Sequence, residues 1–182
     1  MLIKDVVSLA CEFTENQELI EKLKNNSLNE EEQLIIDSLV RCFNLINNEI
    51  ATEYLPYVKT ELLKTKDFKI KFSDFKNKVL NILSVKDKYG RKIKFKSFND
   101  YIVAVANEVE IVYIAIPEEK SLQEELNSAI PERIFAYGMA REFFFLQSLF
   151  QEASLWDERF KNSLRVIIRK KNDIVMPRRR WI

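Results

Sequence analysis

The apolar residues of this chain change their period twice, and each change comes at or near a proline. As far as Tyr54 they recur at three- and four-residue spacing, the pattern of a helix with one buried face. Pro56 ends that pattern, and the following segments alternate apolar with polar residues, the period of a half-buried strand. After Pro131 the helical spacing returns. Neither pattern can be accommodated by the other element, so the chain is α+β. The sequence predicts a helical bundle with an inserted antiparallel β lobe of about six short strands and an extended C-terminal tail. The expected division is 1–56 for the N-terminal helices, 57–117 for the lobe, 118–171 for the helices that complete the bundle, and 172–182 for the tail.

Residues 2–23 read as helical, with Val6, Leu9, Phe13, Ile20 and Leu23 on the apolar face and Thr14 as an interruption. In SLNEEEQLIIDSLV, Asn29 followed by Glu32 is an N-cap signature, and the three glutamates suit the positive end of a helix dipole. Leu34, Ile35, Leu39, Cys42, Phe43, Ile46 and Ile50 then extend a long helix to about Tyr54. Further on, Pro131 suits a first helical position, with Ile134, Tyr137, Ala140, Phe144 and Phe145 along one side. After Gln151 a second helix, or a bent continuation, carries Leu155, Trp156, Phe160, Leu164 and Ile167.

Between the helices, TELLK at 60–64 is one strand and FKIKF another, with Phe68, Ile70 and Phe72 alternating with lysines. Val79–Val85, a turn through Asp87–Gly90, and Ile93 with Phe95 read as a hairpin. YIVAVANEVEIVYIAIP supplies two more strands around Ala106–Glu108, closed by Pro117.

Composition excludes several chemistries. Two glycines, Gly90 in a turn and Gly138 in a helical stretch, leave nothing from which to build a phosphate-cradling loop. The absence of histidine removes the commonest general base and metal ligand, so any metal site would be all-carboxylate, and no D-x-D-x-D-G loop is present. Glu118–Glu119 and Glu124–Glu125 fall in a connecting stretch that suits solvated carboxylates better than a catalytic pair. Cys11 and Cys42 each lie in an apolar helical pattern and read as buried free thiols, with a disulfide as the alternative. No segment has the length of a membrane span or the layout of a signal peptide, so no membrane is expected. Without a histidine, a glycine motif or a singled-out carboxylate pair, no cofactor and no enzymatic activity are expected either.

Charge is blocked rather than mixed. Residues 1–63 have a balance of −7, 64–98 of +9, 99–164 of −7 and 165–182 of +6, against a net charge of +1 for the chain. Lys69, Lys71, Lys92, Lys94 and Lys96 alternate with apolar residues and form a candidate DNA-facing or channel-facing set. The plainer reading places them on a solvated strand face with the aromatics opposite, in the core, which would separate charge from stacking surface. The run FFFLQSLF is apolar on more than one face and must be buried, within the chain or against another subunit.

The order INNEIATEYLP, NILSVKDKYGRKIKFKSFNDYIVAV, VEIVYIAIPEE, ERIFAYGMAREFFFLQSLFQEASLWDERFKNSLR and a terminal RRRW resembles a group of tailed-bacteriophage neck proteins, the head–tail connectors or adaptors of Firmicutes phages. The likeness covers roughly residues 29–182, and the positions that carry it include Tyr54, Gly90, Tyr113, Pro117, Glu132, Ala136, Gly138, Trp156 and Trp181. It implies a structural virion protein, assembled in the bacterial host cytoplasm and located in the neck. Such a protein forms a homo-oligomeric ring of about twelve copies between portal and tail proteins, touching packaged DNA only transiently. It implies no catalysis. A tail-completion ring protein, or a nucleic-acid-binding module using the basic lobe, is the alternative. The end of the chain fits docking: Ile174 and Met176 begin an extended segment fixed by Pro177. Arg178, Arg179 and Arg180 offer forked donors to carboxylates, and Trp181 with Ile182 supplies an apolar anchor.

Overall fold

The computed structural model describes residues 1–171, and the side chains of residues up to 168. The fold is α+β, with five α-helices and two small antiparallel sheets among the described residues. It divides into two compact units: one combines Met1–Ile46 with the chain from Lys120 onward, and the other is Asn47–Glu119.

In the helical unit, α1 (Ile3–Phe13) and α2 (Glu18–Asn25) divide the segment expected to be helical over 2–23. Thr14 is the cause of the division. Its hydroxyl bonds back to the Ala10 carbonyl (3.0 Å), Asn16 donates to the Thr14 carbonyl (2.8 Å), and Glu15 takes a left-handed φ of 60°. α3 (Glu30–Glu49) begins as its sequence predicts. Asn29 Oδ1 accepts from the Glu32 amide (2.8 Å) and the Glu32 carboxylate accepts from the Asn29 amide (3.0 Å), a reciprocal cap. Beyond Glu49 the helix widens into a π turn, Ile50–Tyr54, closed by the Leu55 amide on the Ile50 carbonyl (2.7 Å), before Pro56 ends it.

Pro131, expected at the first helical position, is instead the N-cap residue of α4 (Glu132–Leu146), so the helix begins one position later than the sequence pattern suggests. α5 (Phe150–Lys171) starts at Phe150 rather than after Gln151, because Gln147–Leu149 forms the turn, with Ser148 at φ 61°. The core of this unit joins Ile3, Val7 and Ala10 of α1, Leu39, Phe43 and Ile46 of α3, Phe135 and Met139 of α4, and Phe160 and Leu164 of α5, all buried. Leu155, expected on the α5 stripe, is 64% exposed, and Ala153, two residues earlier and on the opposite side of the helix, is buried. The returning chain is held to this unit by main-chain bonds from Ile3 to Glu124 and from Leu126 to Met1. The Asn44 amide adds bonds to both the N–H and the C=O of Lys120.

The second unit holds β1 (Val58–Lys64), β2 (Lys69–Lys71), β3 (Val79–Asp87), β4 (Lys92–Ile93), β5 (Phe95–Ser97), β6 (Tyr101–Ala104) and β7 (Glu108–Ala115). One sheet has the order β1-β7-β3-β4 and the other β2-β6-β5, and these neighbours pair antiparallel. The run 92–97 leaves the first sheet at Ile93 and enters the second at Phe95, so Lys94 sits at the crossing between sheets. A single cluster of Ile70, Phe75, Val85, Ile102, Ile111 and Tyr113 fills the lobe with others. Only part of FKIKF follows the expected alternation. Ile70 is buried, but Phe68 has φ 58° and is 46% exposed, and Phe72 opens a short 3-10 turn.

Candidate functional site

Two surfaces stand out, one on each unit, and each follows from local sequence. On the lobe, register decides which side chains share a face, since residues directly opposite in a ladder point the same way. Lys71 lies opposite Tyr101, and Lys69 lies opposite Val103. Lys96 is opposite the same Val103 from the other side. Phe98 donates its amide to the Tyr101 carbonyl (2.9 Å), and the two rings stack at 4.9 Å and 22°. The outer face of the three-stranded sheet therefore carries two rows, Phe98–Tyr101–Lys71 and Lys96–Val103–Lys69. The Lys69 ammonium rests 5.3 Å from the centre of the Tyr101 ring. Ile70, Ile102 and Ala104 occupy the opposite, buried face.

This arrangement corrects the expectation that alternation keeps lysines and aromatics on opposite faces. Phe95 turns inward as expected, but Phe98 and Tyr101 flank the β5–β6 turn with the parity of the lysines. Of the five candidate lysines, Lys69, Lys71 and Lys96 come together on this face, and Lys94 is exposed at the sheet crossing. Lys92 does not join them. It pairs opposite Lys86, which faces Glu110, and so belongs to the four-stranded sheet. Among the described residues Lys69, Lys71, Lys94 and Lys96 form no ion pair. The signal missed in the sequence was the aromatic pair at the turn, three residues beyond the last inward phenylalanine.

On the helical unit, the α4–α5 corner is apolar and solvent-facing. Phe145, Leu146, Leu149 and Phe150 are 47, 67, 41 and 61% exposed, and the Phe145 and Phe150 rings meet edge to face at 5.9 Å. The backbone of this corner is tightly made, with the Gln147, Ser148 and Leu149 amides bonded to Phe143, Phe145 and Phe144 carbonyls. This corner lies in FFFLQSLF, the run whose apolar width calls for cover. The single chain leaves four of its large side chains substantially in water.

Other candidates for chemistry are weaker. A cleft of about 410 Å³ at the α1–α2 break is lined by Glu15, Asn16, Gln17, Glu18 and Leu19, with both carboxylates exposed. Tyr113 donates its hydroxyl to Glu61, and burial followed by that bond pushes its pKa up, a core tether more than a reactive phenol. Among the described residues no group of three or more His, Cys, Asp or Glu is placed to hold a metal, and no helix is long and apolar enough to cross a membrane. Cys11 and Cys42 are buried and unbridged. The expected docking residues Ile174, Met176, Pro177, Arg178, Arg179, Arg180, Trp181 and Ile182 lie outside the described residues. No protein-family model matches the chain, and no curated protein sequence matches it.

Proposed function

We propose that this chain is a structural component of a phage particle, a head–tail connector that assembles as a ring between portal and tail. The observation that carries the reading is the exposed apolar corner at Phe145, Leu146, Leu149 and Phe150. Apolar patches of this kind mark interfaces, and obligate assemblies bury them as a domain buries its core. The resemblance of residues 29–182 to neck proteins supplies the kind of assembly. Alternating blocks of charge suit head-to-tail contacts between identical copies. In this reading the partners are further copies of the chain, the portal, a tail or tail-completion protein, and transiently the DNA. The location is the virion neck, and no catalysis is assigned.

Native mass spectrometry and symmetry-averaged images of the purified full chain test the proposal. The expected result is a ring of about twelve copies, alone or on addition of portal. A six-fold ring binding tail-tube protein would favour the tail-completion reading, and a monomer without portal affinity would end both. Replacing Phe145 and Phe150 together by serine should leave the helical circular dichroism intact and abolish assembly. Deleting 177–182 should likewise spare the fold and remove portal or subunit attachment.

A further inference from the structure

Charge and ring surface share the outer face of the three-stranded sheet, and among the described residues the lysines there form no ion pair. We propose that this face binds single-stranded nucleic acid, with Lys69, Lys71, Lys94 and Lys96 neutralising phosphates and the Phe98–Tyr101 pair stacking on bases.

The geometry suits a track rather than a point contact. Side chains two residues apart on a strand are about 7 Å apart and neighbouring strands about 4.8 Å, so Lys69 lies roughly 7 Å from Lys71 and roughly 10 Å from Lys96. Lysines that merely guard sheet edges would explain β2 and β5, which are the edges of this sheet. That role does not explain an aromatic ring on the central strand at Tyr101, nor a second ring stacked on it with Phe98 47% exposed. A large ring left in water forgoes burial worth more than most side chains can offer, which fits a surface awaiting a flat partner. Bases in a duplex are already stacked on one another, so ring stacking favours a single strand, whereas lysines alone would take a duplex equally well. Nothing in this inference requires a ring or a portal.

Fluorescence anisotropy of the full chain with a labelled oligothymidylate of about 20 nucleotides tests it, beside an oligouridylate, a duplex of equal length and phosphatidylserine vesicles. Tighter binding of the single strands than of the duplex is expected, with a log–log salt slope near −3 for four neutralised phosphates. The two single strands tell DNA from RNA. Phe98→Leu, which keeps apolar bulk but not the ring, should weaken single-strand binding about ten-fold and leave the slope unchanged, while Phe98→Tyr retains affinity. Lys96→Ala should lower the slope by about 0.7. No binding at about 50 mM salt would overturn the inference, as would duplex or vesicle binding as tight as single-strand binding and indifferent to Phe98→Leu. The Phe145→Ser/Phe150→Ser variant should keep its single-strand affinity while failing to assemble, so the two proposals fail separately.

Discussion

Ile46 of α3 closes over Gly138 of α4 so tightly that a Cβ at position 138 would meet the Ile46 Cδ1, Cγ2 and Cγ1 at 2.8, 2.8 and 2.9 Å. The missing side chain lets two buried helices approach, with Phe43 and Phe135 rings 5.4 Å apart beside the contact. Gly138→Ala would gain about 1 kcal/mol of helix propensity. Against that stands overpacking of a β-branched side chain that has few alternative rotamers, at about 1–3 kcal/mol. Three contacts at once, two of them to carbons on the stiff branch point, put the cost in the upper part of that range. Denaturant unfolding should therefore show Gly138→Ala destabilised by about 1–2 kcal/mol. Ile46→Ala is itself destabilising, but Gly138→Ala should cost less in that background, so the double variant is more stable than the two single effects added together predict. Simple additivity would mean that the two residues are not in contact.

Much of this packing was legible in the sequence, and the reasons differ by element. The cap at Asn29 and Glu32 is local, needing only four residues to be read, and it forms as written. The breaks at Thr14 and Pro56 are local too. Faces of the lobe are not local. Whether Phe98 shares a side with Lys96 depends on where the chain turns, because a shift of one residue exchanges the two faces of a strand. The pattern KIKFKSFNDY reads as continuous alternation, yet the chain changes sheet at Lys94 and turns again after Ser97. Likewise Leu155 has helical spacing to its neighbours, but the side of α5 that meets α4 is set by the Gln147–Leu149 turn. The close approach at Gly138 could be suspected from a glycine within a helix, whereas its partner Ile46 lies 92 positions away and appears only in the fold.

Acid should act on the helical unit through depressed carboxylates. Glu124 is held down to about 2 by the Lys120 ammonium (2.7 Å) and then by the amide and hydroxyl of Ser121. For Asp157, burial pulls the pKa up, but bonds from Lys161 and Arg141 outweigh it and leave the carboxyl below its usual range. A carboxyl with a lowered folded pKa stabilises the fold above its unfolded pKa and loses that contribution as pH falls toward the folded value. Between pH 4.5 and about 2, therefore, protonation of Glu124 should lower Tm. Glu124→Gln should begin with a lower Tm at pH 7 and lose less over that interval. Parallel melting curves for the two proteins would show that Glu124 contributes nothing to acid sensitivity.

The thiols give a probe of the helical core that is independent of assembly. Cys11 of α1 and Cys42 of α3 are both fully buried, and burial followed by the Glu12 charge raises Cys11 to about 11. Burial, with the Glu142 charge second, raises Cys42 to about 12. Only thiolate attacks an aromatic disulfide reagent, so at pH 8 both groups are protonated as well as covered. The native chain should therefore show almost no thiol release over minutes, and denaturant should expose both cysteines. The rate of release below the unfolding midpoint should track the population of opened molecules, and Gly138→Ala should accelerate it at Cys42, which lies one helical turn from Ile46. Fast labelling of the native protein at either site would mean that α1 or α3 opens without global unfolding.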